Sequence, residues 1–281
     1  MHNTSKKIKK CTVIVQNIVK KEKKCTKNPK YCAFFMYKGV IMNKIEKLKE
    51  MINQSNNIVF FGGAGVSTES GIKDFRSKDG LYNMKYKYPP EEILSHTFFK
   101  NNPEEFYKFY KDKLNCLNIK PNICHNYLTK LEKNKKLLAI VTQNIDGLHT
   151  KAGSKNVLEL HGTIYKNYCT KCHKSYPPEK IFNSEGVPKC TCGGTIKPDV
   201  VLYEEPLDEG IVNKTIESIS KCDMLIVAGT SLTVYPASSF INFFKGKYLV
   251  IINNDQTTYD HMATLVINNK LGNVIKKLEE E

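Results

Sequence analysis

The sequence predicts an α/β fold built on a doubly wound, Rossmann-like parallel sheet. Seven short apolar runs alternate with helical stretches, and these runs are almost continuously apolar, as strands buried on both faces are. Polar or glycine-rich residues directly follow five of the runs, which is where parallel strands present functional groups. The seven runs are residues 58–61, 137–141, 157–160, 200–203, 224–228, 248–252 and 264–267.

The first run leads into a glycine-rich turn that predicts a nucleotide site. Residues 62–76 read GGAGVSTESGIKDFR. Glycines after a strand let backbone N–H groups approach a pyrophosphate, although Thr68 stands where the usual third glycine of that fingerprint belongs. Arg76 is the single arginine among 43 basic residues, and its fork of donors suits a phosphate or a carboxylate that locks the loop. The motif predicts dinucleotide binding, with a chance match as the alternative.

The other strand ends carry further polar clusters. The sequence TQNID occupies residues 142–146, HG occupies 161–162, GTS occupies 229–231 and NND occupies 253–255. Carboxyl ends of parallel strands meet at one edge of a sheet, so these clusters are expected to converge there. An Asx-turn explains one polar residue at a strand end better than it explains three in TQNID.

Charge and hydropathy limit the classes of protein. The net charge is +15, but residues 1–41 hold eleven lysines and one acid, so the remaining 240 residues carry only +5. Residues 1–41 therefore read as a basic, disordered N-terminal extension, and nucleic-acid binding is not expected of the core over residues 42–281. The extension is either upstream sequence from a misassigned start codon or a nonspecific basic arm; an arginine-poor mitochondrial presequence is less favoured. No apolar stretch has the length of a membrane span or follows the N-terminus as a signal peptide would, which predicts a soluble, cytoplasmic protein without membrane contact.

Four of the ten cysteines predict an inserted small zinc-binding module. Cys169 and Cys172 form a Cys-x-x-Cys pair, and 17 residues later Cys190 and Cys192 form a Cys-x-Cys pair. This spacing is similar to that of zinc ribbons, with four buried free cysteines as the alternative. The module is expected over about residues 165–196. A second insertion, over about residues 78–118, is aromatic-rich and predicts a loop and a helical layer that cover the nucleotide.

The order and spacing of these motifs resemble the sirtuin family of NAD-dependent protein deacylases, of bacterial type. The similarity runs from about residue 42 to residue 280 and includes the glycine-rich turn, QNID, HG, the four cysteines, GTS and Asn253. It implies an NAD-dependent protein-lysine deacetylase. In that family the acyl-lysine oxygen attacks C1' of the nicotinamide ribose, nicotinamide leaves, and a histidine deprotonates a ribose hydroxyl. The acetyl group ends on ADP-ribose.

The resemblance implies roles for individual residues. His161 would be the base, a task that suits an imidazole whose pKa lies near working pH; a hydrogen-bonded core histidine is the alternative. Asp146 would hold the nicotinamide carboxamide, Asn144 would orient water and ribose, and Phe75 would shield the sugar cation. Zinc would be structural and held by Cys169, Cys172, Cys190 and Cys192. The implied NAD contacts are Gly63, Ala64, Gly65, Thr68, Asp74, Phe75, Arg76, Gln143, Asn144, Ile145, Asp146, Gly229, Thr230, Ser231 and Asn253.

The resemblance also places the acetyl-lysine peptide, which sirtuins bind as an added strand. The implied contacts are Val201, Leu202, Tyr203, Glu204 and Val234. Glu204 replaces the glycine that many family members have at this point, which puts that contact in question. Relatives that prefer succinyl or malonyl groups use a Tyr-x-x-Arg pair, and the matching residues here are Tyr107 and Tyr110. Without a guanidinium at that position, neutral acyl groups are expected, acetyl first.

Two other functions stay open at the level of sequence. Mono-ADP-ribosyl transfer would use the same NAD site and end at a protein nucleophile. A zinc-containing basic nucleic-acid-binding protein would use the lysine-rich extension. His161 and the strand-like peptide segment favour the deacetylase over both.

Overall fold

The computed structural model describes residues 43–74, 80 and 87–280. The chain divides into two compact units, Met1–Leu48 and Lys49–Glu281. The predicted extension over residues 1–41 lies outside the described residues, as do Phe75, Arg76 and most of the predicted loop that precedes the helical layer. A domain boundary at residue 42 therefore stays a prediction.

A parallel sheet of six strands forms the centre of the second unit and confirms the predicted fold class. Its strand order, β3-β2-β1-β7-β8-β9, places the first strand in the middle, and all its pairs are parallel. Every residue of β1 and β7 is buried, as expected for strands that are covered on both faces. The strands are β1 Ile58–Gly62, β2 Leu137–Thr142, β3 Val157–Glu159, β7 Met224–Ala228, β8 Tyr248–Asn253 and β9 Leu265–Asn268.

One predicted strand was wrong. Of the run 200–203, only Val200 lies in a strand, and that strand belongs to a separate antiparallel sheet of order β5-β4-β6. Its strands are β4 Gly162–Cys169, β5 Ser175–Tyr176 and β6 Ile196–Val200. Four apolar residues cannot distinguish a strand buried in a parallel sheet from a segment enclosed between other elements.

Helices cover the strands, and their first residues follow the usual capping chemistry. A helix over residues 43–54, α1, has an apolar face of Ile45, Leu48, Met51 and Ile52, all buried. Proline stands at the first position of two helices, and Ser95 and Asp208 cap two others through their side chains. The others are α2 Pro90–Ile93, α3 His96–Asn101, α4 Pro103–Lys113, α5 Ile123–Lys133, α6 Leu148–Lys151, α7 Glu179–Phe182, α8 Glu209–Lys221 and α9 Leu271–Glu279.

The predicted helical layer, α2 to α4, shares one apolar cluster with the cysteine-containing sheet. Tyr107 and Tyr110 are both fully buried in it. The Tyr107 hydroxyl donates to the Ile196 carbonyl at 2.5 Å, and the Tyr110 ring stacks on Phe182 with centroids 5.6 Å apart. Tyr107 therefore joins the layer to the second sheet and Tyr110 joins it to α7, and neither position offers a cation for an acyl carboxylate.

The last helix is attached to the glycine-rich turn. The Gly272 N–H, in the first turn of α9, donates to Oε1 of Glu69 at 3.0 Å. A β-carbon at Gly272 would lie 1.7 Å from Oε2 of the same side chain, so a larger residue there would displace the Glu69 carboxylate. A carboxylate at a helix N-terminus also interacts favourably with the helix dipole. Among the described residues, no helix combines the length and apolar character needed to cross a bilayer.

Candidate functional site

The glycine-rich turn after β1 is joined to the end of β7 by its backbone. The Gly65 N–H donates to the Gly229 carbonyl at 2.8 Å, and the Gly63 N–H donates to the Ala228 carbonyl at 3.3 Å. A β-carbon on Gly65 would lie 2.7 Å from the Gly229 α-carbon. Gly65 thus has a packing reason for lacking a side chain, in addition to the expected approach to phosphate. Ala64 opens the short 3-10 turn that follows.

Ser67 brings together two residues that the sequence placed at the end of β2. Its hydroxyl donates to Oδ2 of Asp146 at 2.7 Å and accepts from Nδ2 of Asn144 at 3.1 Å. Ser67 and Asp146 are 1% and 5% exposed. Burial raises the pKa of Asp146, and hydrogen bonds from the Leu148 N–H and the Ser67 hydroxyl oppose that change. We call Ser67, Asn144 and Asp146 the polar triad.

The sequence did not single out Ser67 as a site residue. The only signal was a hydroxyl within a glycine-rich turn, and its partners lie 77 and 79 residues away in the chain.

The ring orientation of His161 is set by the residue that follows β2. Nδ1 of His161 lies 2.9 Å from the Gln143 carbonyl oxygen. Since a carbonyl oxygen can only accept, Nδ1 carries the proton and Nε2 keeps a lone pair in the neutral ring. Burial lowers the pKa of His161, while the hydrogen bond to Gln143 raises it. The half-buried ring can therefore accept a proton through Nε2.

The ends of β2, β7 and β8 are tied together beside the histidine. The Gln143 amide donates to the Thr230 hydroxyl at 3.1 Å. Asn253 accepts from the Thr230 N–H at 3.1 Å and donates to the Thr230 carbonyl at 2.6 Å. Ser231 is exposed, and its hydroxyl lies 2.8 Å from that of Thr233. The four strand ends that the sequence singled out for polar residues thus share one edge of the sheet.

Thr68 and Ile145, two further predicted NAD contacts, are held by backbone carbonyl or N–H partners near this edge, and a third, Asp74, lies in the segment after the glycine-rich turn. Thr68 donates its hydroxyl to the Gly65 carbonyl at 3.0 Å. The Ile145 carbonyl accepts from the Ile164 N–H at 3.0 Å, which fixes the loop of the polar triad against β4. Asp74 is half-buried.

The predicted peptide-binding segment runs from β6 past the end of β3. The Val201 N–H donates to the His161 carbonyl at 2.9 Å, and Tyr203 exchanges backbone hydrogen bonds with Leu94 and His96 at 3.0 Å. Tyr203 is 40% exposed, and Val234 is half-buried. The segment is therefore connected directly to the backbone of His161.

Two acidic residues hold this segment in place. Glu204 has φ 76°, in the left-handed region that favours glycine, which accounts for the family's usual residue there. Its carboxylate accepts from the Thr97 N–H at 2.9 Å in the first turn of α3, and hydrogen bonds from the Thr97 side chain and backbone lower its pKa. Glu205 accepts from the Leu202 N–H at 2.9 Å and pairs with Lys197 at 3.0 Å. The Glu204 side chain caps a helix and so compensates for its backbone strain.

The four predicted metal ligands converge. The sulfur atoms of Cys169, Cys172, Cys190 and Cys192 all lie within 4.8 Å of one another. A tetrahedral site with Zn–S bonds of about 2.3 Å would separate its sulfurs by about 3.8 Å. Observed pairs at 3.5 and 3.6 Å fit such a site closely, whereas unrelated free cysteines have no reason to cluster.

Hydrogen bonds around the cysteines also fit thiolate ligands. The Lys171 N–H donates to the Cys169 sulfur at 3.3 Å, and the Tyr176 hydroxyl donates to the Cys190 sulfur at 3.0 Å. Donors of this kind orient metal ligands and stabilise their charge. Four thiolates satisfy Zn²⁺ completely and leave no open position, as in structural sites.

Comparison with known proteins gives a consistent result. The Sir2 family model matches residues 63–236, which is more than half of the chain. The NAD-dependent protein deacetylase of Clostridium perfringens is 60% identical over 240 residues, which cover 84% of this chain and 98% of the relative. The NAD-dependent protein deacetylase of Staphylococcus aureus is 46% identical over 241 residues, or 85% and 99% of the two chains.

Solved structures with the same fold include complexes with reactants and products. A Sir2 protein with a deacetylated p53 peptide and 3'-O-acetyl-ADP-ribose superposes with a TM-score of 0.78 at 38% identity, covering 84% of this chain and 97% of that one. A Sir2 complex with a p53 peptide and NAD⁺ gives a TM-score of 0.76 at 38% identity, with the same coverage. The similarity therefore extends over nearly the whole of those chains.

Proposed function

This chain belongs to the Sir2 family, and we infer that it is an NAD-dependent protein-lysine deacetylase of bacterial type. It transfers the acetyl group of an acetyl-lysine protein to ADP-ribose and releases nicotinamide. NAD is the co-substrate and supplies the ADP-ribose acceptor. The observation that carries this function is the single edge of the sheet that holds His161, the polar triad and the peptide segment together.

His161 serves as the general base. With Nδ1 engaged by the Gln143 carbonyl, Nε2 is the atom that takes the proton from a ribose hydroxyl. Burial favours the neutral ring, so the base is available at neutral pH. The same Gln143 residue binds Thr230 through its side chain, which couples the base to the loop after β7.

The polar triad binds the nicotinamide end of NAD. Asp146 holds the carboxamide and Asn144 orients water and ribose, while Ser67 fixes both side chains by direct hydrogen bonds. Phe75 and Arg76 are also assigned to the NAD site, and both lie outside the described residues. The remaining contacts with NAD come from the glycine-rich turn after β1, the segment that follows it and the ends of β2, β7 and β8: Gly63, Ala64, Gly65, Thr68, Asp74, Gln143, Ile145, Gly229, Thr230, Ser231 and Asn253.

The substrate peptide adds a strand along Val201, Leu202, Tyr203 and Glu204, with Val234 on the other side. Backbone pairing reads little side-chain identity, so many acetyl-lysine sequences should bind. Neutral acyl groups fit best because Tyr107 and Tyr110 are buried and neither supplies a cation. Zinc at the four cysteines stabilises the second sheet and takes no part in the chemistry.

We also propose a cytoplasmic location. None of the seven described cysteines forms a disulfide, as expected in a reducing compartment. Immunoblotting of soluble, membrane and secreted fractions would test it, and recovery in the secreted fraction would contradict it.

The deciding assay combines the full-length, zinc-loaded chain with NAD and an acetyl-lysine peptide, followed by mass spectrometry of all products. The expected products are nicotinamide, the free lysine peptide and O-acetyl-ADP-ribose in equal amounts. His161→Ala should lower kcat by at least about a hundredfold, since general bases contribute that much. His261→Ala, at an exposed histidine in a 3-10 turn, is the matched control.

Each rival function has its own outcome in the same assay. If the assay gives an ADP-ribose adduct on a protein and no free lysine peptide, the activity is mono-ADP-ribosyl transfer instead of deacetylation. Loss of deacetylation in a chain that starts at Met42 would show that the basic extension belongs to the enzyme. Salt-sensitive DNA binding without any NAD turnover would favour the nucleic-acid-binding alternative.

A further inference from the structure

We propose that Asn122, which lies at the N-terminus of α5, is a positioning residue that fixes the polar triad through the backbone of the glycine-rich turn. The proposal rests on the proposed deacetylase function. Asn122 is half-buried and lies outside every motif that predicted the site. It acts on Ser67 rather than on a substrate.

The Asn122 side chain connects two elements through its two ends. Its Oδ1 atom accepts from the Cys124 N–H at 2.9 Å and the His125 N–H at 3.4 Å, which caps α5. Its Nδ2 atom donates to the Val66 carbonyl at 2.8 Å. Because the helix amides occupy the oxygen, the amide cannot rotate by 180° without losing both sets of bonds.

The bond to Val66 determines where the Ser67 hydroxyl lies. The peptide unit from Val66 to Ser67 is planar, so a fixed carbonyl direction also fixes the Ser67 N–H and α-carbon. The Ser67 side chain then reaches Asp146 at 2.7 Å and Asn144 at 3.1 Å. A displacement of about 1 Å at reacting groups can lower a rate about a hundredfold. Asn122 thus affects catalysis through two successive hydrogen-bonded contacts, the first to the Val66 carbonyl and the second from Ser67 to the other members of the polar triad.

The capping arrangement is reciprocal and makes Asn122 rigid. Nδ1 of His125 lies 2.9 Å from Asn122 Oδ1 and 3.2 Å from the Asn122 backbone nitrogen, and the ring tautomer decides whether it donates to the first or accepts from the second. His125 is fully buried. The two helix N–H groups bonded to Oδ1 and the Val66 carbonyl bonded to Nδ2 leave the side-chain amide a single orientation, with the donor towards the glycine-rich turn.

Asn122→Asp separates the cap from the positioning role. Aspartate caps helices as well as asparagine does, so α5 should remain intact. The new carboxylate oxygen cannot donate and would repel the Val66 carbonyl. Asn122→Ser keeps a capping oxygen without adding a charge, and its shorter side chain does not reach Val66. Asp208→Asn, which exchanges the same two residue types at the cap of α8, is the control.

We expect both Asn122 variants to lower kcat for deacetylation by at least about tenfold, with the peptide KM within about twofold. The melting temperature should stay within about 4 °C of the parent. The NAD dissociation constant, measured by calorimetry, should rise at least about threefold, and this readout does not require turnover. Deacetylation by the parent chain tests the proposed function separately.

A double-mutant cycle with Ser67→Ala tests the route. If Asn122 acts through Ser67, Asn122→Ser should reduce kcat by less than about threefold when the Ser67 hydroxyl is already absent. Equal effects in both backgrounds would overturn the proposal. An unchanged kcat and NAD affinity in the Asn122 variants, or losses that only follow a lower melting temperature, would also overturn it.

Discussion

A buried pair of histidines makes the stability of this protein depend on pH, and His149→Phe tests that dependence. His125 and His149 are 0% and 1% exposed, and their ring centroids lie 4.7 Å apart. Among the described residues, neither ring nitrogen of His149 has a hydrogen-bond partner. Phenylalanine therefore preserves a planar ring at this position and removes no hydrogen bond.

Burial opposes a charge on either ring. It lowers the pKa of His125 to about 4 and that of His149 to about 3, with the His125 charge as a further cause for His149. An unfolded histidine titrates near 6.5, so below that pH the unfolded state binds protons that the folded state does not. The free energy of unfolding must then fall as pH falls from 6.5 towards 4. Between pH 7 and pH 5 each histidine accounts for about 2 kcal/mol of this loss.

Glu159 has the opposite effect on the pH dependence of the free energy of unfolding. Burial raises its pKa to about 7, so the folded carboxyl keeps a proton that the unfolded chain releases near pH 4.5. Its contribution to stability is present at low pH and is lost as pH rises towards 7. The pH dependence of the parent protein is a sum of opposing effects, whereas the difference between parent and variant isolates His149.

Urea unfolding at pH 7 and pH 5, followed by circular dichroism, measures that difference. His149→Phe should lose about 2 kcal/mol less than the parent between the two pH values. His261→Gln, at an exposed histidine, controls for the removal of a histidine as such. Equal losses in the parent and in His149→Phe would refute the coupling between burial of this ring and acid stability.

Two further predictions concern the second sheet and the peptide segment. Chelation, or Cys192→Ser, should remove one zinc ion per chain, as measured by atomic absorption. Both the melting temperature and kcat should then fall, because metal binding and folding of this module are coupled. A zinc-free chain with the original melting temperature would contradict a structural role. Lys197→Met should lower the free energy of unfolding by about 2 kcal/mol, since the lysine is 8% exposed and its loss removes a charged hydrogen bond from Glu205, which keeps His96 at 2.8 Å and the Leu202 N–H. Urea titration measures this, and Lys197→Met combined with Glu205→Gln should recover part of the loss.

Much of the fold could be predicted because a parallel strand that is buried on both faces appears in the sequence as a short, continuous apolar run. The runs that became β1 and β7 are apolar at every position before the terminal glycine or alanine, and each leads into a functional cluster. The run 200–203 has the same composition but lies in a segment held by Leu94, His96 and His161. Its partners are distant in the chain, so no local pattern could identify them.

The site could be predicted at the level of motifs and less well at the level of contacts. Asp146 and Asn144 stand out because three polar residues end one strand, but Ser67 and Asn122 become visible only when strand ends and a helix N-terminus meet. Glu204 shows a similar limit. Its left-handed backbone follows from tertiary constraints that a glutamate would not signal, and only its bond to Thr97 explains how it is tolerated.

The carboxylate bond from Glu69 to Gly272 has a practical meaning for anyone who engineers this protein. The two residues are 203 positions apart, and a foreign domain fused after residue 280 would be attached to a helix whose other end contacts the glycine-rich turn. Immobilisation through the exposed surface of α8 leaves this connection untouched.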